Sequence, residues 1–254
     1  VNPPLLVIAH RGDSGHRPEN TLASFASALE VGAEIVELDV QLTVDGHVVV
    51  LHDPAVDRTT SGRGDVRRMT LPAVRTLSAG YPERFGDAWS GERVPTLAEA
   101  LALLQGRARV MIEIKTDSVT DDGESGVEAR TVEEVRRQGL VDQVALISFD
   151  HRALLRCRQI APEIIRGHLF GRTTTREVLE AARDADCRIV MPHKSQLGDE
   201  MAARAREAGL KLATWVVDDP EELKALRRFG LYGVGSNVPG VLLEALADGL
   251  LDPR

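Results

Sequence analysis

The chain has 254 residues, 43% of them hydrophobic and 28% charged, which is enough apolar material for one sizeable core. Its net charge of -8, from 31 basic and 39 acidic residues, argues against nucleic acid and anionic lipid surfaces as main partners, because both demand a positive field. Charges interrupt every apolar run well short of the roughly 18 residues of a membrane span, and two cysteines, Cys157 and Cys187, are too few for a disulfide scaffold or a Cys-based zinc site.

The first ten residues, Val1 to His10, lack the basic start and long apolar stretch of a secretory signal, so with so few cysteines a cytoplasmic protein is expected. Within them Leu5 to Ala9 is a continuous apolar run, the pattern of a strand covered on both faces. Thr21 to Val31 follows with Leu22, Phe25, Ala26 and Leu29 at helical spacing and Gly32 as a stop. Glu34 to Val40 reads as a strand, and His47 to Leu51 as another after the Asp45-Gly46 turn. Residues 53–95 break the rhythm with Gly, Pro, Arg and Asp clusters and read as an insertion capping one end of the fold. Further strands are predicted at Arg109–Ile114, Gln143–Ser148, Ile164–Leu169, Arg188–Met191, Leu210–Val217 and Leu231–Ser236. Helical patterns lie near 96–104, 125–138, 150–160, 174–185, 198–208, 219–229 and 239–247. This alternation predicts a single closed (β/α)₈ TIM barrel over 1–254. The competing fold, an open doubly wound sheet binding a dinucleotide, would carry G-x-G-x-x-G after the first strand, whereas the chain reads His10-Arg11-Gly12-Asp13-Ser14-Gly15.

Residues two apart on a strand point the same way, so Glu37-Leu38-Asp39 sends two carboxylates into the lumen, and Glu113-Ile114-Lys115 adds a third at another strand end. Carboxylates converging out of water must protonate or share a cation, and an all-oxygen set suits Mg²⁺ or Ca²⁺. Pairing with lumen arginines, or an edge strand with both side chains in water, is the alternative. His10 and His52 each follow a β-rich run, the address of barrel active sites, and histidine exchanges protons near neutral pH. The other histidines, His16, His47, His151, His168 and His193, read as structural or exposed. Arg11 and Lys115 bring positive charge to the same rim, which suits a phosphate-bearing substrate; salt bridges to Glu19 or Asp13 and to Glu113 would be the bland alternative.

Taken as an ordered set, His10-Arg11-Gly12, Pro18-Glu19-Asn20-Thr21, Glu37-x-Asp39, His52-Asp53, Arg58-Thr59-Thr60, Pro95-Thr96-Leu97-x-Glu99, Glu113-Ile114-Lys115, Ser148-Phe149 and Trp215 resemble the glycerophosphodiester phosphodiesterase family along nearly the whole chain. The resemblance implies a TIM barrel that hydrolyses small-molecule glycerophosphodiesters to glycerol 3-phosphate and an alcohol. It implies His10 and His52 as the acid–base pair, Glu37, Asp39 and Glu113 as ligands of one divalent cation, and Arg11, Lys115 and Trp215 as substrate contacts. One position departs from the family pattern, which carries an acidic residue two before the last Pro; here the stretch is Ser236-Asn237-Val238-Pro239. A lysophospholipase D or cyclising phosphodiesterase on lysolipids shares this scaffold, and a non-catalytic phosphate-binding barrel is the alternative of another class. Tyr81, Phe85 and Trp89, three of nine aromatic residues in the chain, are spaced to pin the insertion as a small core or to face the leaving alcohol. The headgroup, the choice between Mg²⁺ and Ca²⁺, and the oligomeric state are left open at this level.

Overall fold

The computed structural model describes residues 5–171 and 174–249. Residues 1–4, which open the stretch read for a leader, lie outside them. Nine strands form one sheet: β1 (Leu6–His10), β2 (Ile35–Leu42), β3 (Val48–Val50), β4 (Arg109–Ile114), β5 (Val144–Ser148), β6 (Ile165–Phe170), β7 (Ile189–Pro192), β8 (Lys211–Thr214) and β9 (Gly233–Ser236). All but β3 run parallel, and β1 pairs with both β2 and β9, which closes eight strands into a barrel. Helices α1 (Leu22–Glu30), α4 (Leu97–Leu104), α5 (Val127–Arg137), α6 (His151–Ile160), α7 (Thr175–Asp184), α8 (Asp199–Glu207), α9 (Pro220–Leu226) and α10 (Pro239–Ala247) follow barrel strands; short helices α2 (Leu71–Arg75) and α3 (Pro82–Phe85) belong to the insertion. None of these is long and apolar enough to cross a membrane.

The period of two along each strand sorts the side chains into two cores. Ile8, Ile35, Met111, Ile147, Leu169 and Met191 pack together in the lumen. Their neighbours Ala9, Val36, Leu38, Val110 and Ile112 face outward onto helix residues such as Phe25, Leu97 and Leu101. Several helices start on caps that the sequence supplies. Thr21 accepts from the Ser24 N–H, and Thr96 with Glu99, like Thr174 with Glu177, forms a reciprocal capping box. Both cysteines are buried, and burial pushes each thiol up to about 12, which leaves them inert.

The strand at His47–Leu51 corrects one expectation. It does not take a barrel position: β3 turns back antiparallel along the outer end of β2, pairing Val48 with Leu42 and Val50 with Val40. The Leu51 N–H then donates to the Asp39 carbonyl, 3.0 Å away. His52 therefore reaches the barrel mouth by folding back over β2, not by ending a barrel strand as His10 does. The Asp45-Gly46 turn, with Gly46 at φ +82, makes the reversal possible.

Candidate active site

The carboxylates gather because of strand register. His10 lies beside Glu37, and Asp39 beside Glu113, which brings the ends of β1 and β4 level with the middle of β2, a longer strand that runs on past them. Glu37, Asp39 and Glu113 are buried, and one oxygen from each lies within 4.8 Å of the others. Burial and the neighbouring charges of Asp39 and Glu113 drive Glu37 well above the usual carboxylate range. Burial and the charge of Asp39 likewise push Glu113 up to about 7. Asp39 goes the other way: against a burial that would raise it, Arg11, Lys115 and His52 hold its carboxyl well below that range.

Arg11 sits at φ +58, a strained left-handed turn for a non-glycine residue, directly after β1. The turn aims its N–H at Glu37 Oε2, 3.0 Å away, and brings its guanidinium to 3.2 Å from Asp39 Oδ2 and 2.9 Å from Glu19 Oε1. Gly12 continues the turn at φ +83 under α1, where a Cβ would stand 2.7 Å from the Ser24 backbone. Lys115 Nζ lies 2.6 Å from Glu113 Oε1 and 3.4 Å from Asp39 Oδ1. So Arg11 and Lys115 do form the salt bridges that were the bland alternative, and they also line the cavity.

The Asn20 side-chain amide donates to Asp39 Oδ2 at 2.8 Å, yet Asp39 Oδ1, fully buried, has no hydrogen-bond partner. Its compensation is the Lys115 ammonium at 3.4 Å, and a buried carboxylate oxygen without a hydrogen bond is costly beside two further acidic side chains, both disposed to hold a proton. The residues fit a hard divalent cation: the donor set is all oxygen, and the ion would satisfy the oxygen that lacks a hydrogen bond and offset the crowded charge.

Both histidines are anchored through Nδ1, which leaves Nε2 for the cavity they share. His10 Nδ1 lies 2.8 Å from Asn237 Oδ1, and His52 Nδ1 lies 2.6 Å from Asp53 Oδ1. Burial and the charge of Arg11 lower His10 to about 4. Asp53 in turn accepts from Arg58 Nε at 2.5 Å, and Arg58 forks onto Glu19, with 2.8 Å to each carboxylate oxygen. Glu19 thus joins the Arg58 and Arg11 guanidinium groups.

The cavity measures about 170 Å³. One side is ionic; the other is apolar, formed by Ile147, Phe149, Leu169, Met191 and Trp215. Trp215 donates from Nε1 to the Met191 carbonyl at 3.0 Å and stands edge-on to Phe149 and His193, with ring centroids 5.5 and 5.0 Å apart. Gly235 leaves room for it, since a Cβ there would meet the Trp215 Cβ at 3.2 Å. A larger cavity, about 390 Å³, lies near Leu212, Phe229 and Tyr232, but no acid or histidine lines it.

All eight residues singled out in the sequence line this cavity or, in the case of Asp39, lie directly against its ionic wall. His168 instead lies on the outer face of β6 beside His151. The sequence reading gave no role to Asp53, Arg58, Asn20, Asp218 or Phe149; all but Asp218 stood within the motifs that carry the family resemblance. None of the insertion aromatics lines the cavity; Tyr81 and Phe85 meet edge-on, and Arg17 from the loop after β1 covers Trp89, a tie between the barrel and the insertion. Its small core consists of Val56, Val66, Val74, Ala79 and Val94 with Val49 and Leu51. The rings lie apart from that core and outside the cavity lining, each covered by a guanidinium: Arg58 over Tyr81, Arg84 over Phe85 and Arg17 over Trp89. Pro82 and Gly86 limit the helix between them to a single turn.

Residues 10–241 match the model of the glycerophosphoryl diester phosphodiesterase family. The chain is similar to a glycerophosphodiester phosphodiesterase of Caldanaerobacter subterraneus subsp. tengcongensis, 36% identical over 245 residues that cover 96% of this chain and 98% of the relative. It also resembles an Oleispira antarctica phosphodiesterase solved in complex with the product sn-glycerol-3-phosphate, with TM-score 0.87, 31% identity and coverage of 95% and 96%. A glycerophosphodiester phosphodiesterase structure from Agrobacterium tumefaciens aligns with TM-score 0.82 and 28% identity over 95% of this chain and all of that one.

Proposed function

We propose, since the chain belongs to the glycerophosphoryl diester phosphodiesterase family, that it hydrolyses glycerophosphodiesters to glycerol 3-phosphate and an alcohol. The observation that carries the reading is the convergence, in one cavity with an apolar far wall, of three buried carboxylates, two cations and two Nδ1-anchored histidines. Glu37, Asp39 and Glu113 would hold one Mg²⁺ or Ca²⁺. When bound, the ion supplies Lewis-acid neutralisation of phosphoryl charge.

Arg11 and Lys115 grip the non-bridging phosphate oxygens and stabilise the charge that grows on them. His10 is the base. Its Nδ1 is engaged by Asn237, which leaves Nε2 to take the proton of the attacking hydroxyl, the glycerol 2-hydroxyl or a water. His52 is the acid. An imidazolium there faces the Asp53 carboxylate at 2.6 Å, which balances its charge, whereas one at His10 would face Arg11. As the new O–P bond forms, the bond to the alcohol breaks and His52 passes its proton to the departing oxygen; where the 2-hydroxyl attacks, a water then opens the cyclic phosphate, with His52 taking the water's proton and His10 returning its own to the 2-oxygen, to give glycerol 3-phosphate. Trp215 and Phe149 hold the carbon skeleton against the apolar wall.

The arginine-covered rings of the insertion offer no apolar groove for an acyl chain, which favours the diester over a lysolipid. The test is ³¹P NMR of glycerophosphocholine, -ethanolamine, -inositol and -glycerol and a lysophospholipid, each with Mg²⁺ or Ca²⁺. Glycerol 3-phosphate from at least one diester is expected. Cleavage of the lysophospholipid alone, or of nothing in the panel, would overturn the reading.

A further inference from the structure

Asn237 stands between His10 and a carboxylate that no part of the mechanism above uses. On one side its Oδ1 faces His10 Nδ1 at 2.8 Å. On the other its Nδ2 donates to Asp218 Oδ2 at 2.8 Å, and its backbone N–H donates to Asp218 Oδ1 at 2.7 Å. Ser236 Oγ donates to the same Oδ1 at 2.9 Å, so Asp218 is fixed by three donors from the end of β9. The β1 loop closes over this arrangement. Gly15 donates its N–H to the Asn237 carbonyl, and a Cβ at Gly15 would stand 2.8 Å from that oxygen.

Hydrogen-bond chemistry then leaves one arrangement. An ionised carboxylate only accepts, so the Asn237 amide must turn its NH₂ toward Asp218; flipping it would set two acceptors 2.8 Å apart. With Oδ1 thereby committed to the histidine side, His10 Nδ1 must bring the hydrogen. A neutral imidazole carries one N–H, so Nε2 is left as the bare acceptor.

We infer that Asp218, working through Asn237, is a positioning residue that fixes the Nδ1–H tautomer of His10 and so presents its Nε2 lone pair to the cavity. This rests on the reading of His10 as the base. The acidic residue that the family pattern places at 237 is here moved one link outward, to Asp218, with an amide as the intermediary. The amide transmits the orientation without setting a second negative charge beside the histidine. The same logic makes a swap work: with Asn at 218 and Asp at 237, the carboxylate again accepts from both sides.

The test reads the tautomer directly, without substrate. Two-bond ¹H–¹⁵N correlation spectra of the wild-type protein, with His10 assigned by the loss of its signals in His10→Gln, should show Nδ1 as the protonated nitrogen. In Asp218→Asn the Asn237 backbone N–H and Ser236 Oγ hold the new amide's oxygen in the place of Oδ1, so its NH₂ faces Asn237 and turns that amide over; Nε2–H should then be populated and kcat should fall about 10- to 1000-fold with KM little changed. Asn237→Asp alone should be impaired by two opposed carboxylates. The double variant Asp218→Asn/Asn237→Asp should recover the Nδ1–H signal and most of kcat. If Asp218→Asn does not fold, Asn237→Ala, which removes the acceptor, should populate both tautomers. An unchanged Nδ1–H tautomer in whichever of the two folds, or a double variant that folds yet regains neither signal nor kcat, would overturn the inference. Failure of the proposed hydrolysis would be recognised separately, as no turnover with the wild-type tautomer intact.

Discussion

Lys115 Nζ lies 2.6 Å from Glu113 Oε1, so an ammonium is already paired with one of the three carboxylates proposed to hold the cation. Two positions apart in sequence, these residues compete for roles: the more tightly Lys115 holds Glu113, the less that carboxylate offers a metal. Lys115→Met should therefore separate binding from turnover. A unit charge at about 4 Å is worth roughly 4 kcal/mol at an effective dielectric of 20, so even a partly screened loss should tighten Mg²⁺ or Ca²⁺ binding by about tenfold at pH 8. Activity should drop because the phosphate loses a contact. Calorimetric titration with the metal, beside steady-state kinetics, checks both signs; weaker metal binding would mean that Lys115 shapes the site and does not compete within it.

The histidines are expected to act as one unit. Positioned proton transfer is typically worth about 10²- to 10⁴-fold, and residues that share a step do not lose activity independently. His10→Ala and His52→Ala should each cost that much in kcat, with the double variant little worse than the poorer single one. Two mild losses that multiply would instead assign them to binding.

A third expectation comes from Glu113. Its carboxyl, ordinarily near 4.5, is raised to about 7 by burial and Asp39. A raised carboxylate contributes stability that is full below 4.5 and is lost as pH rises through 7, because the folded state then must ionise a group the barrel disfavours. Cation binding reverses this, since it needs the ionised form. After EDTA dialysis, the rise in thermal midpoint on adding Ca²⁺ or Mg²⁺ should be larger at pH 8 than at pH 5. Equal rises at both pH values would contradict the assignment.

Which parts of this were legible in the sequence follows from the range of the interactions. Glu37-x-Asp39 and Glu113-x-Lys115 could be read because a strand's period of two is local, and charged residues in runs otherwise apolar stand out. His10 could be read for the same reason. His52 was placed correctly at the mouth for a partly mistaken reason: nothing in Val48-Val49-Val50-Leu51 distinguishes a barrel strand from an antiparallel ribbon, and only the pairing with β2 decides it. Of the partners that orient the histidines, Asp53 adjoins His52 in sequence, whereas the longer-range contacts were not readable. Asn237 meets His10 across 227 residues, and Arg58 meets Glu19 across 39, contacts set by barrel closure and by the path of the insertion. The aromatic trio misled because spacing alone does not reveal which side a short helix presents, nor that arginines cover the rings.

Stability and catalysis should separate at Arg166. This buried arginine points outward from β6, opposite to the cavity, and donates to the carbonyls of Ile164 at 2.7 Å and Ala185 at 2.8 Å. It also bonds Asp186 Oδ2 at 3.2 Å. Arg166→Leu would strand those acceptors and cost about 3 kcal/mol. A fall in the denaturant midpoint with kcat per folded molecule unchanged is expected; a matching loss of kcat would show that the outer layer sets the geometry of the site.

The most direct test of the central claim is the release of glycerol 3-phosphate from a glycerophosphodiester by protein exhaustively dialysed against EDTA, with Mg²⁺ or Ca²⁺ then added back. The account predicts no turnover without the cation, recovery on its return, and no recovery in Asp39→Asn, which removes the charge from the most ionised of the three proposed ligands. Full turnover in EDTA would contradict it.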